Sequence, residues 1–290
     1  MTIRPRRSVL YMPGSNARAI EKAKTLPADA VVLDLEDSVA PDAKPAARKQ
    51  VAEAVAAGGF APREVVVRIN GRDTPWWFDD VHAIGAAKPD AILVPKVTSP
   101  DQLDDVAERL IDEHADYAIR LWAMMETPLA VLHAEAIAAA AKDTRLVAFV
   151  MGTNDLAKET RTRIMPGRAA MLPWLMNCIA AARAHGVEII DGVYNDLSNA
   201  AGFARECAGA RDLGFDGKTL IHPSQIDPCN AAFSPSADEI AQARKIIAAF
   251  ELPENHGKGV IQLDGRMVER LHAEMARHTV AIADAIAARG

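Results

Sequence analysis

The sequence predicts a (β/α)8 barrel (TIM barrel), a closed ring of eight parallel strands surrounded by helices, with a C-terminal helical cap. Short apolar or β-branched runs alternate with helix-like segments, which is typical of a parallel sheet, whose strand pairs need crossover connections. Eight such units occupy most of the 290 residues. Because about 250 residues is typical of a closed barrel, this length favours a barrel over an open sheet.

The eight predicted strands are short and rich in apolar residues. They are Ser8–Tyr11, Ala30–Leu35, Glu64–Ile69, Ala91–Pro95, Arg120–Met125, Leu146–Met151, Glu188–Gly192 and Lys218–Ile221. After Pro223 the alternation of strands and helices ends. Two further helices are predicted, from about Ala237 to Phe250 and from about Met267 to Arg289. We therefore assign residues 1–228 to the barrel and 229–290 to a cap that serves as a lid and oligomerisation segment.

Composition narrows the classes of partner. The net charge of −6 and the lack of a long basic run argue against nucleic acid. No apolar run is long enough for a signal peptide or a membrane span, so no membrane partner is expected. Cys178, Cys207 and Cys229 have no metal-type spacing and no disulfide pattern. A reducing, cytoplasmic location is predicted.

Polar residues follow most of the predicted strands, where a TIM barrel carries its active site. They include Glu36 and Asp37 after the second strand, Arg68 in the third, Lys96 after the fourth, Glu126 after the fifth, Asp155 after the sixth and His222 after the eighth. Convergence of these side chains on one mouth is the main functional prediction from the residues themselves.

Glu126 and Asp155 are the candidate metal ligands. Mg²⁺ prefers oxygen ligands and usually takes one or two carboxylates, with water and substrate completing its shell. Each acid alone also fits a helix N-cap or a surface loop.

Arg68 ends an intensely apolar strand and is a candidate for binding a carboxylate or a thioester oxygen. The alternative is an internal ion pair with Glu36 or Asp37, and both roles can hold together. The loop at Pro13 opens a helix with Arg18 and Lys22, an arrangement that attracts phosphate but also fits an ordinary surface helix.

An ordered set of motifs resembles the citrate lyase β-subunit-like branch of the HpcH/HpaI aldolase/citrate lyase superfamily. That branch includes malyl-CoA lyases, citramalyl-CoA lyases and malyl-CoA thioesterases. The motifs are Arg7–Gly14, Leu33–Val39, Val67–Asn70, Pro95–Val97, Glu126–Thr127, Gly152–Leu156, and Gly214–Lys218 leading to Ile221–Pro223. They occur in the order seen in the family and span nearly the whole chain.

The resemblance implies roles at matching positions. Glu126 and Asp155 would hold Mg²⁺, and Arg68 would contact the substrate near the bond that breaks, beside Glu36 and Asp37. The coenzyme A path would be formed by Tyr11, Arg18, Lys22, Ile221 and His222.

The cap departs from the family pattern in one residue. The family's cap motif resembles Asp-Gly-Lys-Met-Ile-Asp, and here the stretch from Asp264 ends in Glu269 instead of aspartate. The resemblance implies that such an acid completes the site of a neighbouring subunit in a homotrimer or hexamer. Asp264 and Glu269 are therefore candidate general acids.

The expected reaction is a Mg²⁺-dependent carbon–carbon cleavage of a β-hydroxyacyl-CoA (malyl-, citramalyl- or citryl-type thioester) to acetyl-CoA and a 2-oxo acid. Arg68 would stabilise the enolate charge on the thioester oxygen. Three alternatives remain open: a malyl-CoA-type thioesterase, a pyruvate aldolase that does not use coenzyme A, and a non-catalytic subunit that docks an acyl-carrier protein.

Overall fold

The computed structural model describes residues 4–112, 115–116 and 118–289. Eight parallel strands close into a barrel in sequence order, with the last strand paired to the first, so the predicted TIM barrel is confirmed. The barrel strands are β1 (Ser8–Pro13), β2 (Ala30–Asp34), β3 (Glu64–Arg68), β4 (Ala91–Val94), β5 (Arg120–Met125), β6 (Leu146–Met151), β7 (Glu188–Asp191) and β8 (Gly217–Leu220). Each lies within one or two residues of its predicted bounds.

Helices follow the strands along the chain. They are α1 (Ala17–Ala23), α2 (Lys44–Ala57), α3 (Trp77–Ala87), α4 (Asp101–Asp112), α5 (Pro128–Leu132), α6 (Ala134–Ala139), α7 (Thr153–Thr160), α8 (Leu172–Ala184), α9 (Ala200–Leu213), α10 (Ile226–Phe233), α11 (Ala237–Glu251) and α12 (Arg270–Ala287). None of the described helices is both long enough and apolar enough to cross a membrane.

Strand side chains divide between two buried layers because successive residues point to opposite faces. Val32, Val66 and Trp122 belong to a small cluster of inward-facing residues, whereas Val31 and Val67 belong to the larger core. Asp34 lies two positions after Val32 in β2, and Arg68 lies two positions after Val66 in β3. By the same alternation, both side chains point into the barrel interior, at its C-terminal mouth. Parallel register pairs these two residues directly.

The chain divides into two compact units, Arg6–Phe233 and a second unit from Ser234 onward with the residues that precede Arg6. The barrel unit therefore extends beyond the boundary predicted at residue 228. Helix α10 accounts for the difference, since it runs to Phe233 and its Cys229 thiol donates to the Arg7 carbonyl, 3.1 Å away.

The second unit contains a hairpin that the sequence analysis did not predict. Strands β9 (Val260–Leu263) and β10 (Arg266–Glu269) pair in antiparallel fashion between α11 and α12. Asp264 and Gly265 form the turn with φ of 51° and 76°, the conformation of a tight hairpin. The final helix begins at Arg270, so the prediction that it starts at Met267 was wrong.

The barrel unit should fold without the second unit. Both of its apolar clusters consist only of residues between Val9 and Phe233, while the C-terminal unit has a separate cluster around Ile261 and Val268. A chain that ends at Phe233 is expected to keep the circular dichroism spectrum of an α/β protein and one cooperative thermal transition. A non-cooperative transition would show that the barrel depends on residues 234–290.

Candidate active site

A cavity of about 380 Å³ opens at the C-terminal ends of the barrel strands. Five of the predicted site residues line it: Tyr11, Asp37, Arg68, Asp155 and Ile221. The mouth of the barrel therefore brings together residues that are far apart in sequence, which is where a TIM barrel is expected to place its chemistry.

The Arg68 guanidinium is bound along one edge by a carboxylate. Its Nε and Nη2 donate to the two carboxylate oxygens of Asp34 at 2.6 and 2.8 Å, and both side chains are buried. Burial alone would lower the pKa of Arg68, but the charge of Asp34 raises it well above its ordinary value. Burial would raise the pKa of Asp34, but the Arg68 charge and hydrogen bonds hold it below its usual range.

The outer edge of the guanidinium faces further acids and the cavity. Nη1 of Arg68 lies 2.9 Å from Oε2 of Glu36 and 3.4 Å from Oδ2 of Asp37. Arg68 therefore has the predicted ion pairs as well as cavity access. Burial raises the pKa of Glu36, with Asp37 adding to the effect and Arg68 opposing it.

The Arg68 side chain also packs against an aromatic ring and a thioether. The guanidinium carbon lies 5.1 Å from the centre of the Tyr11 ring, within the range of a cation–π contact. The Tyr11 hydroxyl and Nη1 of Arg68 lie 3.8 and 3.6 Å from Sδ of Met124. Burial raises the pKa of Tyr11, so its hydroxyl stays protonated at neutral pH.

Glu126 is fully buried, and a hydrogen bond reaches only one of its two carboxylate oxygens among the described residues. Its Oε1 accepts the backbone N–H of Lys96 at 2.7 Å, while its Oε2 is buried and has no hydrogen-bond partner among the residues that the structure describes. Burial, reinforced by the charge of Glu36, raises the pKa of Glu126 to about 7. A buried anionic oxygen without a partner is costly, so it suits a cation.

Glycine at position 152 makes room for this carboxylate. A side chain there would overlap Cβ of Glu126 and place its own Cβ 2.7 Å from Oε2. Gly152 also lines the cavity and precedes α7, whose first turn carries the half-buried Asp155. Glu126 and Asp155 thus fit as the two carboxylates that Mg²⁺ commonly takes. Within the described residues, no group of three or more metal-binding side chains is present.

Lys96 adds a positive charge beside these acids. Its Nζ lies 3.1 Å from Oε1 of Glu36, so Glu36 is held between Lys96 and Arg68. Burial would lower the pKa of Lys96, but the charges of Glu126 and Glu36 outweigh it and raise the pKa.

The residues predicted along the coenzyme A path are not all at the cavity. Ile221 lines it, whereas Arg18 and Lys22 are exposed on α1 and do not. His222 is exposed as well, and its Nδ1 accepts the Ser224 N–H at 3.1 Å, capping a short turn. Their contact with coenzyme A stays a prediction.

The two acids of the C-terminal unit have local partners. Asp264 pairs with Nζ of Lys245 at 2.5 Å in the hairpin turn. Glu269 is the N-cap residue of α12, and its backbone N–H donates to Nδ1 of His272 at 2.9 Å. Both residues therefore have structural roles within their own unit.

Four residues of the site have roles that were not assigned from the sequence. Asp34 was included only within the Leu33–Val39 motif, although it follows Val32 at the spacing of inward-facing residues. Lys96 was expected at the barrel mouth without a specific role, and Gly152 appeared only within the Gly152–Leu156 motif. Lys44 was not identified at all. Its buried Nζ donates to the carbonyls of Leu35 and Glu36 at 2.9 and 2.8 Å and so fixes the acidic loop, the segment after β2 that carries Glu36 and Asp37. No local signal marks Lys44, because its partners lie in another element.

Comparison with known proteins gives consistent matches. A family model described as HpcH/HpaI aldolase/citrate lyase matches residues 7–223. A (3S)-malyl-CoA thioesterase of Cereibacter sphaeroides is 50% identical over 286 residues, covering 99% of this chain and 97% of the relative. Citrate lyase subunit beta of Escherichia coli is 37% identical over 279 residues, with coverage of 94% and 92%. CitE from Mycobacterium tuberculosis, solved with magnesium, acetoacetate and coenzyme A, has a TM-score of 0.76 at 27% identity, covering 97% and 98%.

The space at Gly152 can be tested directly. Gly152→Ala should displace the Glu126 side chain and lower the free energy of unfolding by more than about 2 kcal/mol, because a methyl group is forced into a packed site. Gly209→Ala in α9 is the matched control, since a Cβ atom there would meet no described atom within 4 Å outside its own helix backbone and chain neighbours. That control should be neutral or stabilising by about 0.5–1 kcal/mol. Equal transition midpoints for the two variants in urea would contradict the packing argument.

The charge on Glu126 should reduce stability above neutral pH. Because its folded-state pKa of about 7 exceeds the ordinary 4.5, the folded protein holds more protons, and stability falls as pH rises between these values. In EDTA, Glu126→Gln should be more stable than the parent by about 2–3 kcal/mol at pH 8 and nearly equal at pH 4.5.

Thermal unfolding across this pH range measures the difference. Glu108→Gln, at an exposed position of α4, is the control and should show no such trend. A pH-independent difference for Glu126→Gln would show that Glu126 is not held with a raised pKa.

Proposed function

The chain belongs to the HpcH/HpaI aldolase/citrate lyase family, as its motifs predict, and we propose that it is a Mg²⁺-dependent thioesterase for a malyl-CoA-type hydroxyacyl thioester. The observation that carries this proposal is the 50% identity to a (3S)-malyl-CoA thioesterase over nearly the full length of both chains. Asp155 and the Arg68 guanidinium at one cavity, with Glu126 behind Gly152 of its lining, support it, since such groups suit a carboxylated, thioester-bearing substrate.

Glu126 and Asp155 would hold the metal. Oε2 of Glu126 has no hydrogen-bond partner within the described part of the chain, and Asp155 lines the cavity. A bound Mg²⁺ would supply Lewis-acid stabilisation to oxygen atoms of the substrate. The solved relative that contains magnesium and coenzyme A is consistent with such a site.

Arg68 would stabilise charge on the thioester oxygen. In hydrolysis, water adds to the carbonyl carbon, the oxygen becomes an oxyanion, and the carbon–sulfur bond then breaks as sulfur takes a proton. Asp34 fixes one edge of the guanidinium, so Nη1 is presented to the cavity without rearrangement. Donors that are already oriented stabilise developing charge most effectively. The protonated Tyr11 ring and the Met124 thioether pack around the guanidinium and help to exclude water.

The proton-transfer groups would come from the C-terminal unit of a neighbouring subunit, as the family resemblance implies. Asp264 and Glu269 are the candidates, and Asp264 would exchange its local partner for the substrate. The homotrimeric or hexameric assembly and the cytoplasmic location also stay predictions. Turnover by Asp264→Asn and Glu269→Gln, made separately, identifies the acid that acts.

Carbon–carbon cleavage is the second candidate, favoured by the 37% identity to citrate lyase subunit beta. Cleavage also moves negative charge onto the thioester oxygen, as an enolate, so Arg68 would serve either reaction. The two reactions differ in whether the carbon–sulfur or a carbon–carbon bond breaks, and their products differ accordingly.

Product analysis tests the proposal. With (3S)-malyl-CoA and Mg²⁺, mass spectrometry is expected to show malate and free coenzyme A in equal amounts. Glu126→Gln and Asp155→Asn should abolish product formation, because each removes an anionic ligand. Acetyl-CoA and glyoxylate as the main products would favour the lyase instead, and undiminished turnover in EDTA would contradict the metal assignment.

Arg68→Lys should lower turnover at least 100-fold. The planar guanidinium of Arg68 binds both oxygens of Asp34 with Nε and Nη2 and still presents Nη1 to the cavity. A single lysine ammonium cannot make both sets of contacts. Arg72→Lys is the control, because Arg72 is half exposed and its ion pair is with Asp105 in α4. The melting temperatures of both variants are needed alongside kcat. Activity within about threefold of the parent would show that Arg68 is purely structural.

A further inference from the structure

Lys96 contacts two acidic side chains of the site in two different ways. Its backbone N–H donates to Oε1 of Glu126 at 2.7 Å, and its Nζ lies 3.1 Å from Oε1 of Glu36. The other oxygen of Glu36 lies 2.9 Å from Nη1 of Arg68. Lys96 therefore binds one oxygen of Glu126 and one oxygen of Glu36. The second oxygen of Glu36 is at ion-pair distance from Arg68 but has no hydrogen-bond partner among the described residues.

We propose that Lys96 sets the cation selectivity of the site by withholding these carboxylate oxygens, so that a small cation is accepted and a larger one is disfavoured. The inference rests on the proposed function, because it assumes that Glu126 and Asp155 bind a divalent ion. Lys96 would act on selectivity without touching the ion.

The backbone of Lys96 is held in an unusual conformation to make the first contact. Its φ is +51°, a left-handed region that residues other than glycine rarely adopt. Gln102 in α4 fixes the segment: its Nε2 donates to the Lys96 carbonyl at 3.3 Å, and its Oε1 accepts the Thr98 N–H at 2.6 Å. The N–H of Lys96 is thereby aimed at Glu126 by structure outside the site.

The remaining oxygens suit Mg²⁺ better than Ca²⁺. Glu126 keeps only Oε2, which is buried and, in the described ranges, has no hydrogen-bond partner, and Asp155 is half-buried at the cavity. Ca²⁺ is coordinated by six to eight oxygens and commonly by a bidentate carboxylate. Mg²⁺ is usually coordinated by one or two carboxylates and several waters. With Oε1 of Glu126 bound to the Lys96 N–H and Glu36 held in ion pairs with Lys96 and Arg68, few carboxylate oxygens remain for Ca²⁺.

Removing the Lys96 charge should release Glu36 toward the ion. Loss of a nearby positive charge strengthens binding of every divalent cation, so affinity for one ion does not test selectivity. The ratio of Ca²⁺ to Mg²⁺ association constants does, because only a newly available carboxylate favours the larger ion.

The experiment is calorimetric titration of the metal-free full-length protein with MgCl₂ and CaCl₂. Lys96→Met and Lys96→Gln should each raise the Ca²⁺/Mg²⁺ ratio at least tenfold, and using two neutral variants guards against a folding defect in one. Lys96→Arg keeps the charge and should stay within threefold of the parent. Lys49→Met, at an exposed position of α2, controls for loss of a lysine elsewhere.

A double variant assigns the effect to Glu36. Lys96→Met combined with Glu36→Gln should return the ratio to within threefold of the parent. An unchanged ratio in both neutral Lys96 variants, or a shift that persists in the double variant, would overturn the selectivity role while leaving the proposed function intact. If the parent binds no Mg²⁺, the metal assignment fails and this inference fails with it.

Discussion

The buried ion pair between Asp34 and Arg68 is the interaction on which the rest of the site depends. Parallel register places the two residues opposite each other on neighbouring strands, and both side chains turn into the barrel mouth. A buried pair is favourable only when its remaining hydrogen-bonding groups are also satisfied. Here the backbone N–H groups of Glu36 and Ser38 donate to Asp34 at 2.9 and 3.0 Å, so the pair also fixes the acidic loop that follows β2.

From this pair a chain of contacts crosses the mouth of the barrel. Arg68 holds Glu36, Glu36 meets the Lys96 side chain, and the Lys96 backbone holds Glu126. Arg68 lies at the end of β3, and Glu36, Lys96 and Glu126 follow the ends of β2, β4 and β5 within two residues. The geometry of the site therefore depends on the register of these four neighbouring strands.

The same arrangement concentrates negative charge where water is excluded. The pKa values of Glu36 and Glu126 are both raised, which means that the folded chain resists ionising them. Such a site lowers the stability of the protein on its own, and functional sites commonly do. A divalent cation would relieve this cost, which links the raised pKa values of the two acids to the chemistry proposed for the site.

Most of the barrel could be predicted from the sequence, because eight apolar runs with helical spacers leave few topologies. The placement of Arg68 and Asp155 at the mouth followed from their positions at strand ends. The pairing of Arg68 with Asp34 could not be predicted, since it depends on the register between two strands. The left-handed turn at Lys96 and the close approach of Gly152 to Glu126 depend likewise on contacts between distant residues. In the cap, the Asp264-Gly265 pair is a hairpin signal that the helix-like pattern after it obscured.

The most direct test is a crystal structure of the Mn²⁺-soaked protein with anomalous diffraction data, because Mn²⁺ takes the same oxygen ligands as Mg²⁺. One anomalous peak is expected within about 2.3 Å of Oε2 of Glu126 and of a carboxylate oxygen of Asp155, with Oε1 of Glu126 still bound to the Lys96 N–H. No peak at this position at saturating Mn²⁺, or a peak bound by other residues, would contradict the account.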